Sequence, residues 1–221
     1  MIQPDARSRF TMNDLSLVLE GASGVRPATD DVAIRLLDVD LDDLLDQPKV
    51  AEKVRTAGPP GPSTSLFFYV LIRQALVHHD IPDRRMADYC ASLLRDFGQG
   101  DRAHRVAPMD DHKHTYLMDI MSDAAASDGD RRFRVLVHLG NYALWLSGVF
   151  PEHIDSKQSR RGGPGLSYYD ALGGLGYSEA SGHPLADQVG MTDVYRTAGD
   201  RFSALRSALN DVSKTLNLRP A

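Results

Sequence analysis

Apolar positions recur along this chain with the three-and-four spacing of α-helices, from near its start to near its end. In "TMNDLSLVLEG", Thr11 and Asp14 make a capping box, and Gly21 reads as the stop. "TDDVAIRLLDVDLDDLLDQP" predicts one or two short helices halting at Pro48, and "KVAEKVRTAG" a further short one. Pro and Gly then crowd "GPPGPST", so residues 58–62 read as a linker. Beyond it, Ser63 or Thr64 caps "SLFFYVLIRQALVHH", which is apolar nearly all round, as a buried central helix is.

The next segment, "DRRMADYCASLLRDFG", is amphipathic, with Met86, Tyr89, Cys90, Leu93, Leu94 and Phe97 on its inner side. A polar connection leads to a helix through "TYLMDIMSDAAA". A second central helix comes next, "DRRFRVLVHLGNYALWLSGVF", stopped by Pro151. After "SRRGGPG", Ser167 and Asp170 predict a second capping box for "SYYDALGGLGYSEAS". From about Thr192 to Leu216, Tyr195, Ala198, Phe202, Leu205, Leu209, Val212 and Leu216 alternate steps of three and four, an a/d seam on one long helix.

No stretch alternates as a strand does, and no repeat of fixed period appears. The expected fold is all-α: a bundle of roughly eight or nine helices around two central apolar ones, about 64–79 and 130–149. Residues 1–57 are expected to form an N-terminal helical appendage, 58–62 the linker and 63–221 the main domain.

The 221 residues are enough for one ordinary core without a metal or disulfide staple. A single cysteine, Cys90, excludes an intrachain disulfide and any multi-cysteine metal site, and its place on an apolar helix face reads as a small buried hydrophobe. The opening "MIQPDARSRF" lacks signal-peptide order, and the longest apolar run falls far short of a membrane span. A cytoplasmic protein is expected. The net charge of −5 argues against a general nucleic-acid binder. Twenty arginines against five lysines predict mostly arginine ion pairs.

Several motifs fail on their own requirements. "DVDLDD" begins like a calcium loop, but Asp43 and Lys49 stand where that loop needs Gly and Glu. "HHD" (78–80) lacks the upstream histidine of a metal phosphohydrolase, since no histidine precedes His78. "DDHKH" offers Asp110, Asp111, His112 and His114 in a polar loop without a spaced partner motif. No metal or cofactor site is expected. No metalloprotease, P-loop, serine-hydrolase or di-iron signature occurs.

The densest stretch, 138–177, holds the candidate chemistry. Arg134, His138, Asn141 and Trp145 fall at i, i+4, i+7 and i+11, a polar line on an otherwise apolar helix. Buried amides and imidazoles need partners. One account is a closed network, reached through Arg73 and Gln74 of the other central helix; the other is a pocket lined by His138, Asn141, Tyr142, Tyr168 and Tyr169. Gly173, Gly174 and Gly176 inside a helix each cost roughly 1 kcal/mol. Matching small residues at Gly140, Ala143, Ser147 and Gly148 point to close packing of the two helices. Between them, Arg160, Arg161 and the amides of Gly162 and Gly163 suit an anion at a helix N-terminus.

"LGNYALWLSGVFPEHI…RRGGPGLSYYDALGGLGY", with "LFFYVLIRQAL" before it, resembles a pattern in a group of uncharacterised bacterial all-helical proteins, over most of the chain after the linker. The resemblance implies a bacterial origin and brings no activity, cofactor or catalytic residue.

The leading expectation is a non-catalytic interaction or regulatory protein, working with a protein partner, as a homo-oligomer or with a small ligand. The second is an enzyme or ligand sensor using the His138 pocket. The third is an anion- or nucleic-acid-associated protein using Arg131, Arg132, Arg160 and Arg161.

Overall fold

The computed structural model describes residues 1–57 and 61–216, and every regular element among them is helical. The all-α expectation holds, but thirteen α-helices replace the expected eight or nine. The chain's contacts gather it into two compact units, Gln3–Arg95 and Asp96–Ala221, the latter with Met1–Ile2.

In the first unit, α1 (Met12–Ser23) starts at the expected capping box, with Thr11 and Asp14 each accepting the other's backbone N–H. It ends three residues later than predicted. Gly24, at φ 79°, takes the left-handed cap, while Gly21 lies inside the helix, where a Cβ would come within 3.0 Å of the Val50 backbone. Two short helices come next, α2 (Thr29–Leu37) and α3 (Leu41–Leu45), the latter capped by Asp40. Pro48 does not only halt α3; it occupies the first turn of α4 (Pro48–Thr56), where its missing N–H costs nothing.

After the segment 58–60, which lies outside the described residues, Ser63 caps α5 (Thr64–His78), and Asp83 accepts from the amides of Arg85 and Met86 at the start of α6 (Arg84–Phe97). Residues 1–57 are not set apart from α5. Asn13 donates to the Gly61 carbonyl (3.1 Å), Asp14 accepts from the Ser63 amide (2.7 Å), and α4 packs on α5. The division between compact units falls within α6. Arginine pairs do fasten this unit. Arg73, expected to serve the other central helix, instead makes a two-pronged bond to Asp46 (2.7 and 3.0 Å), and Arg84 reaches Asp46 at 2.9 Å.

The second unit is built on α8 (Gly129–Val149), preceded by α7 (Leu117–Ala126) and succeeded by α9 (Pro151–Arg161), α10 (Leu166–Ser181), α11 (Pro184–Gln188), α12 (Thr192–Asp200) and α13 (Phe202–Leu216). The predicted last helix is two, broken at Arg201, whose φ of −113° and ψ of 23° leave the helical range. Three of the extra helices come from this break, the short α11 and α9, and a further one comes from the separation of α2 from α3.

The glycines do what close packing requires. A Cβ on Gly176 would stand 2.8 Å from the Leu136 carbonyl oxygen, and one on Gly140 2.8 Å from the Tyr177 ring. Helices α8 and α10 therefore meet nearly backbone to backbone. Gly148 faces Leu209 of α13 instead of α10. The seam residues from Tyr195 to Val212 are buried, with α12 against α10 and α13 against α8, so the seam is consumed inside the unit. Ser213 closes the end of α8 by donating to the Val149 carbonyl (2.6 Å).

Candidate functional site

The predicted polar line of α8 enters three environments. Arg134 is exposed, whereas His138, Asn141 and Tyr142 are buried and Trp145 is half-buried. Asn141 is closed off toward α10, its side-chain oxygen accepting from the Tyr177 hydroxyl (2.8 Å). His138, Tyr142 and Trp145 face an aromatic group. The Phe97 ring lies 5.9 Å from both His138 and Trp145, and Tyr142 lies 6.1 Å from His138 and 6.0 Å from Trp145. Tyr168 and Tyr169 are outside this cluster's closest contacts: Tyr169 is half-buried, and the two rings pack edge to face at 5.8 Å. Burial, then the Tyr169 hydroxyl, push Tyr142 up to about 12, and its own hydroxyl donates to the Thr115 carbonyl (3.1 Å).

The loop 105–116 brings to His138 what its sequence spacing concealed. Its ends are clasped: the His114 amide donates to the His104 carbonyl (2.7 Å), and His104 Nδ1 donates to the His114 carbonyl (3.0 Å). His114 is thereby buried with its ring 6.3 Å from that of His138 and 4.8 Å from that of His112. Arg131 bridges Asp110 (2.8 Å) and Asp123 (2.6 Å), fixing the loop to α7 and α8. Burial is the largest single influence and opposes ionisation of both carboxyls, but the hydrogen bonds and charge of Arg131, with the Ala107 amide at Asp110 and the Ser127 hydroxyl at Asp123, together hold them below the usual carboxylate range.

Two buried imidazoles are left incompletely satisfied. His138 Nε2 and His114 Nδ1 have no hydrogen-bond partner among the described protein groups. His114 Nε2 is 3.2 Å from Asp123 Oδ2, close enough for ionic attraction but without hydrogen-bond alignment. His138 is forced neutral. Burial, then the charge of Arg102, push its pKa down to about 3. Arg102 itself lies 5.7 Å over the Phe97 ring and donates to the Arg105 carbonyl.

Of these groups, Phe97, Arg102, His104, His114, Asp123 and Arg131 were not predicted to meet His138. The "DDHKH" cluster was the one signal. Among the described residues, no three or more His, Cys, Asp or Glu side chains are placed to hold a metal ion. The Asp110 side chain of that motif is bonded to Arg131 and to the Ala107 amide.

The expected anion site loses its amide donors. Arg160 and Arg161 are exposed in the last turn of α9, and Gly162 caps that helix at φ 64°. The Gly162 amide donates to the Gln158 carbonyl (3.0 Å) and the Gly163 amide to that of Lys157 (3.4 Å). This is a helix C-terminus, whose partial negative charge suits arginines and repels anions. The second capping box is also absent. Gly165 precedes α10 without a side-chain cap, and Asp170 instead takes a two-pronged bond from Arg206 (2.7 and 3.1 Å). Arg131 is paired as described and Arg132 with Glu179 (2.8 Å), so neither belongs to a free basic face.

No family model, curated protein or solved structure matches this chain. Among the described residues, no helix is long and apolar enough to cross a membrane.

Proposed function

We propose that the chain is a non-catalytic regulatory protein whose second unit takes a small polar ligand at the His138–His114 pair. The observation that carries this reading is the pair of buried, unpartnered imidazole nitrogens in one aromatic-lined cluster. An unsatisfied buried polar group costs about 1–3 kcal/mol, and native proteins retain such groups where a bound molecule completes them. The ligand would hydrogen-bond with His114 Nδ1 and His138 Nε2 and lay its body against Phe97 and Trp145.

Two features favour binding over catalysis. A general base works best with its pKa near the ambient pH, and His138 is far below it. Burial pushes the Cys90 thiol up to about 12, which keeps it out of the nucleophilic thiolate form.

Side-chain ¹⁵N NMR on histidine-labelled protein tests the reading. Protein purified without denaturation is compared with the same protein unfolded, dialysed and refolded. The His138 and His114 ring nitrogens should shift between the two forms, while His78 and His79 stay in place. Unchanged His138 and His114 resonances would remove the ligand.

A further inference from the structure

Helix α2 is anchored to its unit along one edge. Val32 is fully buried and Leu36 half-buried, and the helix packs on α1. On the opposite side Ile34 is 62% exposed and Leu37 85% exposed, with Val25 (62%) and Val39 (40%) flanking the ends of the helix. Four large aliphatic side chains gathered on nine helical residues and their flanks are more than the scattered exposure normal for a protein surface. Exposed Asp30, Asp31 and Asp38 border the strip, and none of the three forms an ion pair among the described residues. Asp30 and Asp31 suit the first turn of a helix, but Asp38 stands at the C-cap, where the helix dipole disfavours an anion. Helix stability does not account for it.

We propose that the Ile34–Leu37 face of α2 is a docking surface for a basic amphipathic helix of a partner protein. Its apolar ridge would cover Ile34 and Leu37, and its lysines or arginines would meet Asp30, Asp31 and Asp38. The charge argues against the other occupants. A second copy placed face to face would bring the same aspartates together, and an anionic lipid surface attracts basic segments, not acidic ones. The inference is independent of the histidine site, which lies in the other unit.

The test uses the full chain and a fluorescent Leu/Lys amphipathic helical peptide, monitored by anisotropy, with a Leu/Glu peptide of the same pattern as control. The Leu/Lys peptide should bind, more weakly as salt rises, and the Leu/Glu peptide should not. Ile34→Asp with Leu37→Asp should weaken binding at least about tenfold, as loss of a central anchor does. Asp30→Asn, Asp31→Asn and Asp38→Asn together should flatten the salt dependence while keeping the apolar strip. Both variants are checked for native circular dichroism. The proposal is overturned if either variant binds like wild type or the Leu/Glu peptide binds equally well. It is equally overturned if phosphatidylserine vesicles bind the wild type, or if sedimentation reveals a dimer that Ile34→Asp with Leu37→Asp dissolves.

Discussion

His138 is held neutral by burial and by the positive charge of Arg102, with His114 and Asp110 also facing it. This fixes the sign of a pH effect. The folded pKa, about 3, lies below the unfolded value of about 6.5, so acid protonates the unfolded chain first. The stability that neutral His138 supports is whole above pH 6.5 and is lost as the pH falls toward 3. Between about pH 7 and about pH 5, the wild type should lose about 2 kcal/mol more unfolding free energy than His138→Leu. Denaturant titrations at the two pH values measure it; parallel losses in both proteins would contradict the burial of a neutral imidazole. The helical spacing in the sequence made the line Arg134, His138, Asn141, Trp145 legible. It could not show that Asn141 would meet Tyr177, or that His138 would meet a loop starting 33 residues upstream, because those partners are set by tertiary contacts.

At the scale of helices, the glycines divide by what a methyl group would strike. On Gly176 it meets the Leu136 carbonyl oxygen at 2.8 Å and the Gly140 nitrogen at 3.0 Å, backbone atoms that cannot turn aside. On Gly174 its nearest neighbour is the Gly199 carbonyl oxygen at 3.5 Å, an ordinary contact. Gly176→Ala should therefore destabilise by about 1–3 kcal/mol through overpacking. Gly174→Ala should be neutral or gain up to about 1 kcal/mol from helix propensity. Thermal melts separate them by sign, and equal shifts would contradict the close approach of α8 and α10. Close packing was readable from the small residues, as was nearly every long helix from its periodicity. Local rules fail where they compete with distant partners. Asp170 sits at capping-box spacing from Ser167, yet Arg206 on α13 takes its carboxylate. "SRRGG" reads as an anion-binding approach to a helix N-terminus, yet its arginines finish α9 and its first glycine caps it. The heptad pattern runs through Arg201 without a gap because seam spacing survives a one-residue break between α12 and α13.

For the molecule as a whole, proline and glycine at 58–62 are the clearest break in the sequence, and the contacts divide the chain between Arg95 and Asp96. Composition marks where regular structure stops, whereas compact units depend on what reaches across, here Asn13 to Gly61 and Asp14 to Ser63. The C-terminal seam residues from Tyr195 to Val212 are likewise buried within the second unit. An apolar strip that stays outward-facing lies on α2, and His138 and His114 are among the buried side chains with a polar atom lacking a protein partner. The measurement that bears most directly on this pair is mass spectrometry of small molecules released by denaturing protein purified under native conditions. Wild-type protein should release one compound at about one per chain. His138→Leu and His114→Leu, each with native circular dichroism, should release little or none. A wild type that releases nothing, or variants that release as much as wild type, would contradict the assignment of this pair as a ligand site.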